Sequence, residues 1–279
     1  MIEAVLDAAL PLYDSARRPP AVIEELQEIW RYRDLVVQLV RRDLVARYKR
    51  SVLGVAWTML NPLGTTLIMT IVFSQLFGRT PSYPAYVLCG LVPWHLFAQS
   101  TANAMRQIVW GGLLIHRIYV PKTAFVLSAV GVGLINLLFA LIPVLGVMVA
   151  TGVPIRSSIA FLPVAVLLLV AFATGVGLLL STLAVYFADV AQMFDIIIMA
   201  WMYLTPVIYP ESVLSGGYRS LLLALNPMSH LIHLFRQPLY GGAWPDPGRL
   251  GLAAAFSLVT LLVGWVVFTR HADEFAYRI

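Results

Sequence analysis

The stretch Arg41–Pro62, RRDLVARYKRSVLGVAWTMLNP, decides how this chain is read. Its first ten positions hold five cations, Arg41, Arg42, Arg47, Lys49 and Arg50, with Arg33 just upstream. Within a few residues the stretch turns into a long apolar run. A basic block abutting an apolar segment orients a membrane helix, because cationic loops are retained on the cytoplasmic side. The expected molecule is an all-α polytopic protein of the inner membrane with its amino-terminal tail in the cytoplasm.

Composition excludes the main alternative. Of 279 residues, 60% are apolar and only 12% charged, with a mean hydropathy of +0.83. A soluble domain carries about 25% charged residues, and one large apolar core would need far more polar shell than this chain has. The net charge of +5 would suggest nucleic acid in a soluble protein. Here topology accounts for it, no aromatic–basic nucleic-acid motif accompanies it, and no nucleic-acid partner is expected. The single cysteine, Cys89, permits neither an intramolecular disulfide nor a cysteine-based metal site. Residues 1–20 carry acids early and arginines late, the reverse of a secretory signal, and read as a cytoplasmic tail.

Upstream of the basic block, residues 21–29 (AVIEELQEI) and 35–42 (LVVQLVRR) place apolar positions at helical spacing. Val36, Leu39 and Val40 share a face, with Asp34, Gln38 and Arg41 opposite. Such a helix lies in the membrane interface; a solvated cytoplasmic helix is the plainer alternative. Residues 1–50 are therefore expected to form a tail with amphipathic interfacial helices, and 51–279 the transmembrane domain.

Downstream, six segments approach or meet the length of about 20 apolar residues that a spanning helix needs. They are 54–77, 84–105, 123–150, 159–186, 192–208 and 249–269, the fifth being short. Pro62, Pro93 and Pro143 fall inside spans, where neighbouring helices absorb the lost backbone bond. Lys and Arg number nine in 1–50, three in 106–122 and two in 270–279, against five in the segments placed outside. That asymmetry, with an even span count, puts both termini in the cytoplasm. Two connections exceed a turn. The inner one, 106–122, holds a short basic–apolar helix at about 113–121 that suits docking onto a partner or an interfacial loop. The outer one, 209–248, holds two pieces, 218–225 and 228–237, each about half a span and read as re-entrant.

Catalytic chemistry is sparse. No phosphate-binding loop is present, so the chain has no ATP site of a familiar kind. His230 and His233 have helical spacing but no third ligand near them, and read as interfacial polar tips rather than a metal site. Asp189 and Asp195 lie at the turn between spans four and five, where a solvated helix end or a partner contact fits better than proton relay. No Lys, Arg or Glu sits deep in a span, which argues against an ion-coupled carrier. Aromatic residues are abundant instead: Trp57 and Phe73 in span one, Tyr86 and Trp94 in span two, Trp201, Tyr203 and Tyr209 at span five, and Tyr218 in the outer loop. Most suit an interfacial belt, yet such rings also stack on the C–H faces of sugars and hydrogen-bond their hydroxyls.

From about Leu35 to the carboxyl end, the chain resembles the permease subunit of ABC-2 type polysaccharide exporters of the Wzm and TagG type. The resemblance rests on the order and spacing of RRDLVARYKRSVLGVAWTMLNPL, LCGLVPWHLFAQS, HRIYVPK, YFADV, WMYLTPVIYP and LNPMSHLIHLFRQPLYGG. One departure is Ala188 in YFADV, where the family commonly has arginine. The resemblance implies a homodimer of six-span subunits in the bacterial inner membrane, joined to two copies of a separate ATPase that binds ATP and magnesium. It implies no cofactor in this chain, and export of a glycan built on a polyprenyl pyrophosphate, O-antigen first among the candidates. Leu113, Leu114, Ile115, His116, Arg117, Ile118 and Tyr119 would form the coupling helix against the ATPase, and 209–248 would line the outer mouth. Arg41, Arg42, Arg47, Lys49 and Arg50 are the candidates to hold the pyrophosphate, since arginine forks suit phosphate; fixing topology and touching anionic lipid is the other use for them. Competing functions are an ABC-2 drug or lipid exporter and a membrane polyprenyl-glycan transferase using Asp189, Asp195 or Glu211.

Overall fold

The computed structural model describes residues 21–49, 51–77, 82–110, 121–214 and 216–278, and among them every regular element is helical. In chain order these are α1 (Ala21–Arg31), α2 (Arg33–Tyr48), α3 (Ala56–Phe77), α4 (Tyr83–Trp110), α5 (Thr123–Ala150) and α6 (Leu162–Tyr186). There follow α7 (Val190–Leu204), α8 (Gly216–Leu225), α9 (Pro227–Arg236), α10 (Pro247–His271) and α11 (Phe275–Arg278). Four stretches are long and apolar enough to cross a membrane: Ala56–Leu76, Thr123–Ala150, Ser157–Tyr186 and Pro247–Glu274. The two other expected spans differ for separate reasons. α4 has 28 residues, but His95, Gln99, Asn103, Arg106 and Gln107 punctuate it from its middle onward. α7 has 15 residues, about 22 Å of helix against a hydrocarbon core of about 30 Å.

α4 is the centre of the packing. Val87, Leu88, Leu91 and Phe97 are fully buried along it, and Phe97 meets Phe172 of α6 and Trp201 of α7, with ring centroids 5.4 and 5.2 Å apart. In lipid, helices associate through close packing rather than hydrophobic drive, which favours small residues at the contact. Gly175 of α6 and Gly264 of α10 form such a contact: a Cβ on Gly175 would lie 2.5 Å from the Thr260 and Leu261 backbone, and one on Gly264 would strike the Gly175 carbonyl. α3 is the opposite case, with Leu67, Ile68, Ile71, Val72 and Leu76 all exposed.

The amino-terminal helices fold back along α5. Glu25 accepts hydrogen bonds from the Thr123 backbone N–H and hydroxyl, capping the first turn of α5. Lys122 beside it donates to the Ala272 carbonyl at the carboxyl end. Higher up, Leu39 is buried with Ala124 and Phe125, and the Tyr48 hydroxyl donates to Asn136 Oδ1 at 3.1 Å. Asn136 is thirteen residues, about 20 Å, along α5, so α2 ends near the middle of that helix.

At the other end, Asn226 breaks α8 from α9 and is held on three sides. Its Oδ1 accepts from the Met228 N–H at 3.1 Å and from Trp201 Nε1 at 3.0 Å, and its Nδ2 donates to Thr205 Oγ1 at 2.9 Å. α9 is buried over eight of its ten residues. Arg236 at its end donates to the Tyr86 hydroxyl (2.7 Å) and to the Pro206 and Val207 carbonyls (2.9 and 2.6 Å), oxygens left unpaired where α7 stops. Gly90 lets α4 approach this clamp, since a Cβ there would sit 2.7 Å from the Val207 oxygen.

Candidate functional site

Where α2 lies against α4 and α5, a cavity of about 400 Å³ is lined by Arg42, Asp43, Arg47, Asn103, Arg106 and Gln107 over a floor of Phe125, Ala129 and Val132. On α2, Asp43 and Arg47 are four apart and share a face, and Arg42 reaches the cavity from the flank beside Asp43. On α4, Asn103, Arg106 and Gln107 are likewise three and four apart. The faces are locked together by a relay in which Gln107 Nε2 donates to Asp43 Oδ2 at 2.6 Å and Ser128 Oγ donates to Gln107 Oε1 at 2.9 Å. Asp43 also pairs with Arg42 at 2.8 Å. Three guanidinium groups against the one carboxylate leave a surplus of two positive charges around the cavity. Neither Arg47 nor Arg106 forms an ion pair with a described carboxylate; Arg47 hydrogen-bonds its neighbour Tyr48. A planar, always-charged donor fork without an acidic partner is suited to an oxyanion.

The structure therefore divides the sequence candidates. Arg42 and Arg47 converge on the cavity, whereas Arg41 and Lys49 line no cavity found beside α2; all four side chains are exposed. Arg50, the segment Leu113–Tyr119 and the side chain of Tyr218 lie outside the described residues. Arg106 is the member that sequence reading missed, because it was counted as a loop cation; its helical register with Asn103 and Gln107 was the available signal. Arg106 also faces a third cavity, of about 470 Å³, with Tyr186, Ala188 and Arg278. Arg278 lies over the Tyr186 ring at 4.4 Å, so near Ala188 the cations come from α4 and α11.

A second cavity, of about 260 Å³, adjoins the first and shares Arg47 with it. Tyr48, Trp57, Asn61, His95, Gln99 and Asn136 supply its polar and aromatic lining. Of the aromatic candidates, Trp57 and Tyr203 are exposed, Phe73, Trp201 and Tyr209 are half-buried, and Tyr86 and Trp94 are packed inside the subunit.

The carboxylates considered for catalysis do not converge. Asp189 precedes the first turn of α7 without a side-chain capping bond and Asp195 is exposed on that helix, whereas Glu211 lies beyond its far end. Glu211 takes a two-pronged pair from Arg249 at 2.7 and 2.8 Å, with His233 Nδ1 3.7 Å away. Burial works against its charge, but the hydrogen bonds from Arg249 and His233 outweigh burial and hold the carboxyl well below the usual carboxylate range. A carboxylate held ionised in this way is a poor general acid. His230 stacks on Phe256, centroids 6.0 Å apart.

An all-helical chain with several membrane-length helices and a basic cavity against its amino-terminal helices fits a membrane transport subunit. Residues 34–240 match the ABC-2 type transporter family, and the chain belongs to that family. It is 31% identical over 260 residues to the O-antigen export system permease protein RfbA of Myxococcus xanthus, covering 92% of this chain and 100% of the relative. A Klebsiella pneumoniae protein of the same name is 26% identical, covering 87% of this chain and 94% of its own length. The polysialic acid transport protein KpsM of Escherichia coli is 25% identical, with 85% and 93% covered.

Proposed function

We propose that this chain is the transmembrane permease subunit of an ATP-driven ABC transporter that exports a polyprenyl-pyrophosphate-linked polysaccharide, O-antigen foremost, across the bacterial inner membrane. Family membership and the named export permeases support the transport role. The observation that carries the substrate class is the cavity formed by Arg42, Arg47 and Arg106. A pyrophosphate diester bears a negative charge on each phosphorus, matching the surplus of two, and a lipid-linked substrate presents that group at the membrane boundary. A drug or simple lipid exporter gives no comparable reason for three arginines around one cavity.

In this reading α3, α4, α5, α6, α7 and α10 are the six spans, with α4 shielded from lipid by its neighbours, α7 short and exposed along most of its length, and both termini cytoplasmic. α1 and α2 are the interfacial elements, and α8 and α9 are the re-entrant pair of the outer mouth. Two copies form the pathway and two copies of an ATPase drive it, holding the ATP and magnesium. The proposed coupling segment Leu113–Tyr119 joins α4 to α5, the two helices that wall the basic cavity. Closure of the ATPases would push that segment and shift α4 and α5 between two packings, changing the cavity around the pyrophosphate. Trp57 and Tyr203, exposed on α3 and α7, are the rings best placed to meet a passing glycan.

Deleting the gene in its native host tests the reading. The expected result is loss of surface polysaccharide with accumulation of the polyprenyl-linked glycan inside the cell. Normal surface glycan in the deletion strain would contradict it.

A further inference from the structure

The second cavity is not accounted for by charge. It adjoins the basic cavity through Arg47 and lies deeper in the bundle: it touches Gln99 of α4 and Asn136 of α5, whereas the basic cavity touches Asn103 and Val132. Asn61, His95 and Gln99 face it without a hydrogen bond to any described residue. Tyr48 and Asn136 bond to each other across its wall, which leaves the Asn136 amide N–H groups free to donate inward. Asn61 is exposed and His95 and Gln99 are half-buried, so their free donors and acceptors are open to a polar occupant of this one space.

The chemistry of the lining narrows that occupant. Each carboxamide offers donors and an acceptor side by side, and a neutral imidazole offers one of each, the pattern that hydroxyl groups complete. No carboxylate lines the cavity, and its single cation is the Arg47 it shares with the basic cavity. Trp57 at the rim is 54% exposed, leaving an indole face open to stack on apolar C–H groups while its neighbours bond hydroxyls. A metal ion or a second phosphate would find no suitable ligands; a neutral sugar ring would.

We infer that this cavity is a pyranose subsite that holds the first sugar of the glycan, the one attached to the pyrophosphate. The inference rests on the pyrophosphate reading of the basic cavity, which places the diphosphate next to Arg47 and the first sugar one helical turn further in. Recognition there would select chains by their reducing-end residue, independently of the repeat units that follow. It would also make the diphosphate and the first sugar a single composite handle.

The test uses the full chain in lipid nanodiscs and two probes, farnesyl diphosphate and farnesyl diphosphate bearing one N-acetylglucosamine, with a glucose-bearing probe as a further arm. On the wild type, at least one sugar-bearing probe is expected to bind roughly tenfold more tightly than the bare diphosphate, the equivalent of one good set of polar contacts. Asn61→Leu with Gln99→Leu removes that advantage while farnesyl diphosphate binding stays as it was. Trp57→Ala, at an exposed position that leaves folding untouched, lowers sugar-probe affinity roughly threefold to tenfold. Equal binding of all probes to the wild type would overturn the subsite, and so would variants that weaken every probe alike or none. The companion variants Arg42→Gln and Arg106→Gln separate the two ideas. If farnesyl diphosphate binding survives them, the pyrophosphate reading fails, whatever the ratio between probes says about the sugar.

Discussion

Arg42, Arg47 and Arg106 meet around one cavity although Arg106 is 64 positions from Arg42. Arginine at a site of this kind acts through a flat fork that pairs two phosphate oxygens at once, which the point charge of lysine does not reproduce. Arg42→Lys, Arg47→Lys and Arg106→Lys are therefore expected to keep membrane topology and expression, while each reduces glycan export roughly tenfold or more. Surface glycan per molecule of permease measures it; unchanged export in all three would leave these cations only their topological role. A second residue-scale prediction concerns Glu211. Its carboxyl is depressed in the folded chain, so the Arg249 pair contributes stability above the unfolded carboxylate pKa of about 4.3 and loses it only as pH falls through the lower folded value. Thermal unfolding of Glu211→Gln is expected to show a loss of about 1–3 kcal/mol that is constant from pH 8 to pH 5. The gap between variant and wild type should narrow only below about pH 4; a gap that closes near neutral pH would contradict the assignment.

Helix pairs set the limits at the next scale. α6 and α10 touch backbone to backbone at Gly175 and Gly264, and no rotamer change can relieve an added side chain there. Gly175→Val should separate the two helices and abolish recovery of a monodisperse protein in detergent. Gly146→Ala, where nothing lies within 4 Å, should leave it unaffected. The six apolar runs were legible in the sequence because length and hydropathy are local properties, and helices stand at each of them. Three features were not legible. α4 carries polar residues that are explained by the cavities they line against α2 and α5. The run 192–208 gives a helix that stops at Leu204, because Thr205 to Ile208 turn away to be clamped by Arg236, a contact about thirty positions distant. The basic block reads as a uniform patch in sequence, yet the register of α2 against α4 and α5 separates Arg42 and Arg47 from Arg41 and Lys49. Arg106 was hidden for the same reason: its partners in the site, joined through Gln107 and Asp43, come from a distant helix.

For the whole molecule, the arrangement puts the proposed substrate site and the proposed drive point on the same two helices. α4 and α5 wall both cavities, and the Leu113–Tyr119 segment connects them in sequence, so a push from an ATPase would act on the helices proposed to hold the pyrophosphate. The amino-terminal helices close the site from the third side, tied down at Glu25 to Thr123 and at Tyr48 to Asn136. At the end away from the α1–α5 contact, α9 is buried among α4, α6 and α10, and the Glu211–Arg249 pair links the loop after α7 to the start of α10. Transport would require a change of packing across these links rather than movement of a free loop. The central claim is that this chain passes a lipid-linked glycan across the membrane when an ATPase partner burns ATP. Inverted membrane vesicles loaded with the polyprenyl-pyrophosphate glycan measure it directly, by the fraction protected from an added glycosidase. The account predicts protection that appears only with ATP and is lost in the Arg42→Gln, Arg47→Gln, Arg106→Gln triple variant; equal protection with and without ATP, or an unaffected triple variant, would contradict it.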